Sequence, residues 1–162
     1  MRKLLIILPL MLLFLAGIAA APVLAAPDRN FSTHLSGGEE VPPVETKAEG
    51  QAIFMLSTDG NELYYKLIAA NIEDILQSHI HLAPEGTNGP IVTWLYPSTP
   101  PAILIQGRFN GVLAEGTITA ADLTGPLAGQ PLSALISEME DGNTYVNVHT
   151  LQNPGGEIRG QI

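Results

Sequence analysis

Four histidines occur in the chain, and three of them are spaced for ligation. His79 and His81 alternate in Ser78-His79-Ile80-His81-Leu82, and His149 closes Tyr145-Val146-Asn147-Val148-His149-Thr150. Both segments read as β-strands. Side chains alternate across a strand, so His79 and His81 share one face, while Ile80 points into the core and both imidazoles point away from it. Tyr145, Asn147 and His149 likewise share a face, opposite Val146 and Val148. Neutral imidazole suits copper or zinc, and a protein site usually needs three or more donors. His149 is the natural third ligand, and His34, in the first strand, is a candidate fourth. The same clustering is expected if these imidazoles instead hydrogen-bond loop backbone and fix the long connections. Only the ligand set predicts metal.

Other residues shape the surroundings of such a site. Pro84-Glu85-Gly86-Thr87-Asn88-Gly89-Pro90 is a loop of turn formers directly after the histidine pair, and it places Glu85 and Asn88 at the rim. Glu85 is an extra oxygen donor or a solvated loop carboxylate. Asn147 belongs to the rim through its place beside His149. Asn153-Pro154-Gly155-Gly156 turns the chain into a last strand, on which Glu157 and Arg159 share the face opposite Ile158; a structural ion pair is the expectation for them. Glu39, Glu40, Asp59, Asn61, Asp141 and Asn143 offer oxygens, but not at the regular spacing of a calcium loop.

Several chemistries are excluded. The chain has no cysteine, no G-x-S-x-G elbow, no Walker-type loop and no dinucleotide fingerprint. Any transition-metal site must therefore use histidine and carboxylates.

The chain of 162 residues opens with Arg2 and Lys3, an apolar run from Leu4 to Ile18 broken by Pro9, and Val23-Leu24-Ala25. This is the pattern of an export signal cleaved after Ala25. An uncleaved anchor is the competing reading, but the run is shorter than the roughly 20 residues a spanning helix needs. Residues 26–162 then form one exported domain, released or held at the cell envelope. Seven basic and sixteen acidic side chains give a net charge of −9, and losing Arg2 and Lys3 takes it to −11. Such a surface argues against nucleic acid and anionic membranes as partners, and leaves an extracellular or envelope ligand. Without disulfides, stability must come from the core.

The elements that must position the histidines are short apolar runs divided by Gly, Pro, Asn and Asp, an all-β pattern. Strands are expected at Phe31–Leu35, Gln51–Ser57, Glu62–Ala69, Ser78–Leu82, Ile91–Tyr96, Ile103–Phe109, Val112–Ile118, Thr144–His149 and Glu157–Ile162. Asp59-Gly60 marks a hairpin, and Phe109-Asn110-Gly111 a tight connection. The paired prolines Pro42-Pro43 belong to an edge or an extended connection. Leu132, Leu135, Ile136 and Met139 recur at helical spacing, predicting a helix over Leu132–Glu140 that ends at Asp141-Gly142. The fold class is a Greek-key β-sandwich of about eight or nine short strands with one short helix.

Three segments carry a family resemblance: F-x-x-x-L-S-G-x-E-E-V-P-P (Phe31–Pro43), S-H-I-H-L-A-P-E-G-T-N-G-P-I-V (Ser78–Val92) and Y-V-N-V-H-T-L-Q-N-P-G-G-E-I-R-G-Q-I (Tyr145–Ile162). Together, and in this order, they resemble the CHRD domain, a module named after chordin and also found singly in exported bacterial proteins. The resemblance implies an extracellular β domain acting as a binding or envelope-associated module. In chordin such domains accompany cysteine-rich repeats that bind growth factors, and a chain without cysteine has no such repeat. The His-x-His strand with a distant strand histidine is also similar to the copper site of the copper/zinc superoxide dismutases. That likeness is partial, because the second histidine-rich loop and the cysteines are missing and the acidic surface would not steer an anionic substrate inward. A copper-dependent redox enzyme is therefore the alternative function. Carbohydrate or matrix adhesion through Trp94 and Tyr96, which share a strand face, is another.

Overall fold

A computed structural model describes residues 30–162. The signal peptide expected over residues 1–25 lies outside the described residues. Seven strands form one hydrogen-bonded sheet: β1 (Asn30–Ser36), β2 (Glu49–Leu56), β3 (Leu63–Leu82), β4 (Ile91–Tyr96), β5 (Ile105–Ile118), β6 (Thr144–Thr150) and β7 (Ile158–Gln161). The neighbour order β2-β1-β7-β6-β3 closes on itself because β3 also pairs with β2, which gives a barrel-like sandwich. Pairs that are distant in sequence, β1 with β7 and β3 with β6, carry the long-range connections.

Among the described residues the strands number seven, rather than eight or nine, because two pairs of expected strands are continuous. β3 runs for 20 residues. Its first half, from Leu63, pairs with β2 and β5, and its second half, to Leu82, pairs with β6 and β4. One strand thus serves both halves of the sandwich. The crossing is made at Asn71 and Asp74, which hold left-handed φ values of 55° and 53°. Asn and Asp tolerate that region better than other non-glycine residues. The bend is tied down: the Asn71 amide donates to Asn110 Oδ1 at 2.9 Å, and the Gly107 amide to Asp74 Oδ1 at 2.7 Å. β5, expected as two strands around Asn110-Gly111, follows the bend as one strand with irregular register.

Strand alternation fills the core. Ala52, Phe54 and Leu56 of β2 face Leu63, Tyr65, Leu67 and Ala69 of β3, all buried, with Ile80, Val146, Val148 and Ile158 completing the other half. A helix, α1 (Leu132–Glu140), matches its expected bounds and buries Leu132, Leu135, Ile136 and Met139, the positions one helical face would offer. Among the described residues, no helix is long and apolar enough to cross a membrane.

Candidate metal centre

Adjacent strands β4, β3, β6 and β7 carry the site in register. One row is Trp94, His79, Asn147 and Arg159; the next is Ile91, His81, Tyr145 and Gln161. Gln77 stands opposite His149, so that histidine reaches His79 diagonally. Alternation puts His79, His81, Tyr145, Asn147 and His149 on the face turned from Ile80, Val146 and Val148, as the sequence predicts. This face is not open to solvent. Every residue of β6 is buried, because the loops around Glu40, Gly89 and Pro154 lie across it. The expectation of imidazoles directed away from a core holds for the sandwich interior, but a second, polar interior encloses them.

One ring nitrogen from each of His79, His81 and His149 lies within 4.8 Å of the others, and all three residues are buried. His79 Nδ1 and His149 Nε2 are 3.2 Å apart. Two nitrogens bound to one tetrahedral ion at about 2.0–2.1 Å would stand about 3.3 Å apart, so this pair already has ligand spacing. The His81 ring is more distant, with its centroid 5.4 Å from that of His79 and 6.0 Å from that of His149.

Backbone carbonyls set two of the three tautomers. His81 Nδ1–H donates to Gly89 O at 2.9 Å, and His149 Nδ1–H donates to Pro154 O at 3.0 Å. Each ring then presents an unprotonated Nε2, the arrangement a metal ligand requires. Both readings of the histidines from sequence therefore meet here: one nitrogen fixes a loop and the other is left over. Nε2 of His79 and Nε2 of His81 are buried with no hydrogen-bond partner. The two loops leave little room for alternatives. A Cβ on Gly89 would overlap the carbonyl of Leu82.

Burial also holds the rings neutral. It depresses His79 to about 3, helped by the neighbouring His149 and His81, and His81 to about 4, against the opposing hydrogen bond to Gly89. His149 is lowered by burial as well. Glu40 moves the other way. Its burial raises it to about 7, against the pull of its hydrogen bond from Asn147 and of the Arg159 charge.

Arg159, Tyr145 and His81 make the wall of the site. The Arg159 guanidinium carbon lies 3.4 Å from the centre of the Tyr145 ring, and the His81 ring stacks on Tyr145 at 4.8 Å and 10°. Arg159 is 1% exposed, which a cation tolerates only when its donors are satisfied. It donates to Asn88 Oδ1 at 3.0 Å and Thr87 O at 2.9 Å, while Asn88 Nδ2 donates to Val41 O at 2.7 Å. The cation thus holds the loop whose Gly89 carbonyl orients His81.

The remaining expected site residues are dispersed. His34 is exposed on the outer face of β1, beside Gln51, because its neighbour Leu35 takes the inward position. It does not join the cluster. Glu85 is exposed at the loop tip. Glu157 accepts from the hydroxyls of Thr46 and Thr150, both at 2.7 Å, and does not pair with Arg159. Trp94 turns to His79, edge to face with centroids 4.3 Å apart, and Tyr96 donates its hydroxyl to Ile103 O. Glu40, given no site role by the sequence, accepts from Asn147 Nδ2 at 3.2 Å and lines a cleft of about 320 Å³ with Pro42, Asn88 and Pro154. The only hint was its place in E-E-V-P-P, since a connecting segment has no periodicity to mark inward positions.

Comparison with known proteins agrees with these motifs. The family model of the CHRD domain matches residues 31–162. Chordin of Xenopus laevis is 29% identical over 133 residues, which cover 79% of this chain and 12% of that protein. The chain therefore spans about one eighth of the curated relative it matches. No solved structure matches the chain. The cluster-bearing strands and all three motifs fall within the matched span, and the chain belongs to the CHRD domain family.

Proposed function

We propose that this chain is an exported binding module whose CHRD-type domain holds a single transition-metal ion, copper or zinc, on His79, His81 and His149. The observation that carries the reading is the pair of carbonyl-fixed tautomers, which leave unprotonated Nε2 atoms of His81 and His149 inside one buried cluster. A histidine serving only to fix a loop has no need for its second nitrogen to be sequestered without a partner, as His81 Nε2 is, since burying an unpaired polar atom is costly. The bound ion would tie β3 to β6 and brace the loops around the cleft, where an extracellular or envelope ligand would dock. Export is supported by Arg2, Lys3 and the apolar run after them, and a binding role by the kinship with a segment of chordin.

The test is elemental analysis of untagged residues 26–162, purified natively and titrated with copper and zinc beside His79→Ala/His81→Ala. A single ion per chain that is lost in the variant supports the centre. No ion in either protein, even after titration, makes the histidines architectural.

A further inference from the structure

Asn147 sits in the centre of the row that holds His79 and Arg159 and is 2% exposed. Its Nδ2 donates to Glu40 Oε1 at 3.2 Å and more weakly to Gly155 O at 3.4 Å. Those partners determine which end of the amide is nitrogen, and so turn Oδ1 the opposite way. The packing there is close: a Cβ on Gly156 would overlap both Asn147 Nδ2 and the Glu40 carboxyl.

Oδ1 is buried without a partner, and so is His81 Nε2. Asn147 stands in register with His79 on the face that also bears His81 and His149, where a ring N–H would be its natural partner. Yet His81 spends its ring proton on Gly89 O, so its Nε2 has a lone pair and no hydrogen to give. Two buried acceptors therefore lie unpaired on one enclosed face of the sheet. An electrophile bound among these side chains would satisfy both, and His79 and His149 supply the other donors to hold one.

Resting on the histidine centre proposed above, we propose that the carboxamide oxygen of Asn147 is its fourth donor and makes the site selective for a divalent ion. Three imidazoles and one amide oxygen form a neutral, borderline-to-hard set that suits Zn²⁺, Co²⁺ or Cu²⁺. Cu⁺ favours soft sulfur donors and lower coordination, which the imidazoles alone can satisfy. Asn147 is thus the residue that separates the two classes of ion.

The experiment titrates the mature chain with Co²⁺, read by its visible absorption, with Zn²⁺ by competition, and with Cu⁺ under reducing conditions. Wild type is compared with Asn147→Ala, Asn147→Asp and His79→Ala/His81→Ala. Asn147→Ala is expected to weaken Co²⁺ and Zn²⁺ by about tenfold or more and to change the Co²⁺ spectrum, while Cu⁺ affinity stays the same. Asn147→Asp, which keeps an oxygen in place and guards against misfolding of the alanine variant, is expected to retain a four-coordinate Co²⁺ spectrum. Equal Co²⁺ affinity and an identical spectrum in Asn147→Ala, with binding still lost in the double histidine variant, overturn the role of Asn147 alone. No Co²⁺ binding by wild type, or equal binding by the double histidine variant, overturns the histidine centre itself.

Discussion

His79 Nδ1 stands 3.2 Å from His149 Nε2 although the residues are 70 positions apart in the chain. With the Pro154 carbonyl holding the proton on the other nitrogen of His149, one His79 tautomer bridges the pair with a hydrogen bond. The other aims two lone pairs at a common point.

Replacing His149 by Gln should therefore remove a ligand while keeping a polar side chain of similar reach. Zinc affinity is expected to fall by roughly 100-fold or more, beyond the effect of losing an outer partner of a ligand. Competition titration with a chromophoric chelator measures this, and unchanged affinity would show that His149 is not a donor.

Acid should destabilise the metal-free protein in a definite window. Burial holds His79 down to about 3 and His81 to about 4, from an ordinary imidazole value of 6.5, so the unfolded chain binds more protons between these limits. Their contribution is complete above 6.5 and is lost progressively as pH falls from there through 4 and 3. Glu40 has the opposite sign: raised from 4.5 to about 7, it favours the fold at low pH, and that contribution is lost as pH rises through 7. Thermal unfolding of chelator-treated wild type and Glu40→Gln between pH 3 and 8 should show the loss toward neutral pH only in wild type. Parallel profiles would sink this assignment of Glu40.

Gly89→Ala should cost about 2 kcal/mol or more of stability, because backbone must move to clear the Leu82 carbonyl. The same movement shifts the acceptor of the His81 ring proton. Urea denaturation reads the first effect and zinc competition the second. An alanine variant equal to wild type in both would mean that the loop adapts freely.

Arg159→Lys should not be conservative. A point-like ammonium cannot keep the contacts to Asn88 and Thr87 while covering Tyr145, and about 2–3 kcal/mol is the expected loss. Amide exchange at Gly89, whose N–H donates to Tyr145 Oη, should accelerate with it. Wild-type protection at Gly89 in the lysine variant would contradict the loop-clamping role.

Much of this was legible in the residues. The period of α1 is unambiguous, since Leu132, Leu135, Ile136 and Met139 define one helical stripe and Gly142 takes the positive φ that ends it. Alternation alone was enough to place His79 with His81, and Tyr145 with Asn147 and His149. The strands expected to end at Ala69 and to begin at Ser78 are one, because Asn71 and Asp74 bend the chain there without ending the strand. Asn110-Gly111 was misread for the same reason: local turn chemistry was used to match the bend of β3 across the sheet. The enclosure of the histidines and the role of Glu40 could not be read, because both come from loops folding over a sheet face, and such loops carry no period.

The sharing of β3 between both halves of the sandwich also orders events in time. Its first half finds β2 just upstream, but its second half must wait for β6, more than sixty positions downstream in every register pair. His79 and His81 are thus made early and acquire their third companion only when the chain has been supplied as far as His149 and the Pro154 turn. Closing so long a loop is slow and entropically costly, and the histidine-bearing half of β3 has an unpaired edge until it happens. Metal capture by all three histidines would therefore mark completion of the fold rather than nucleate it.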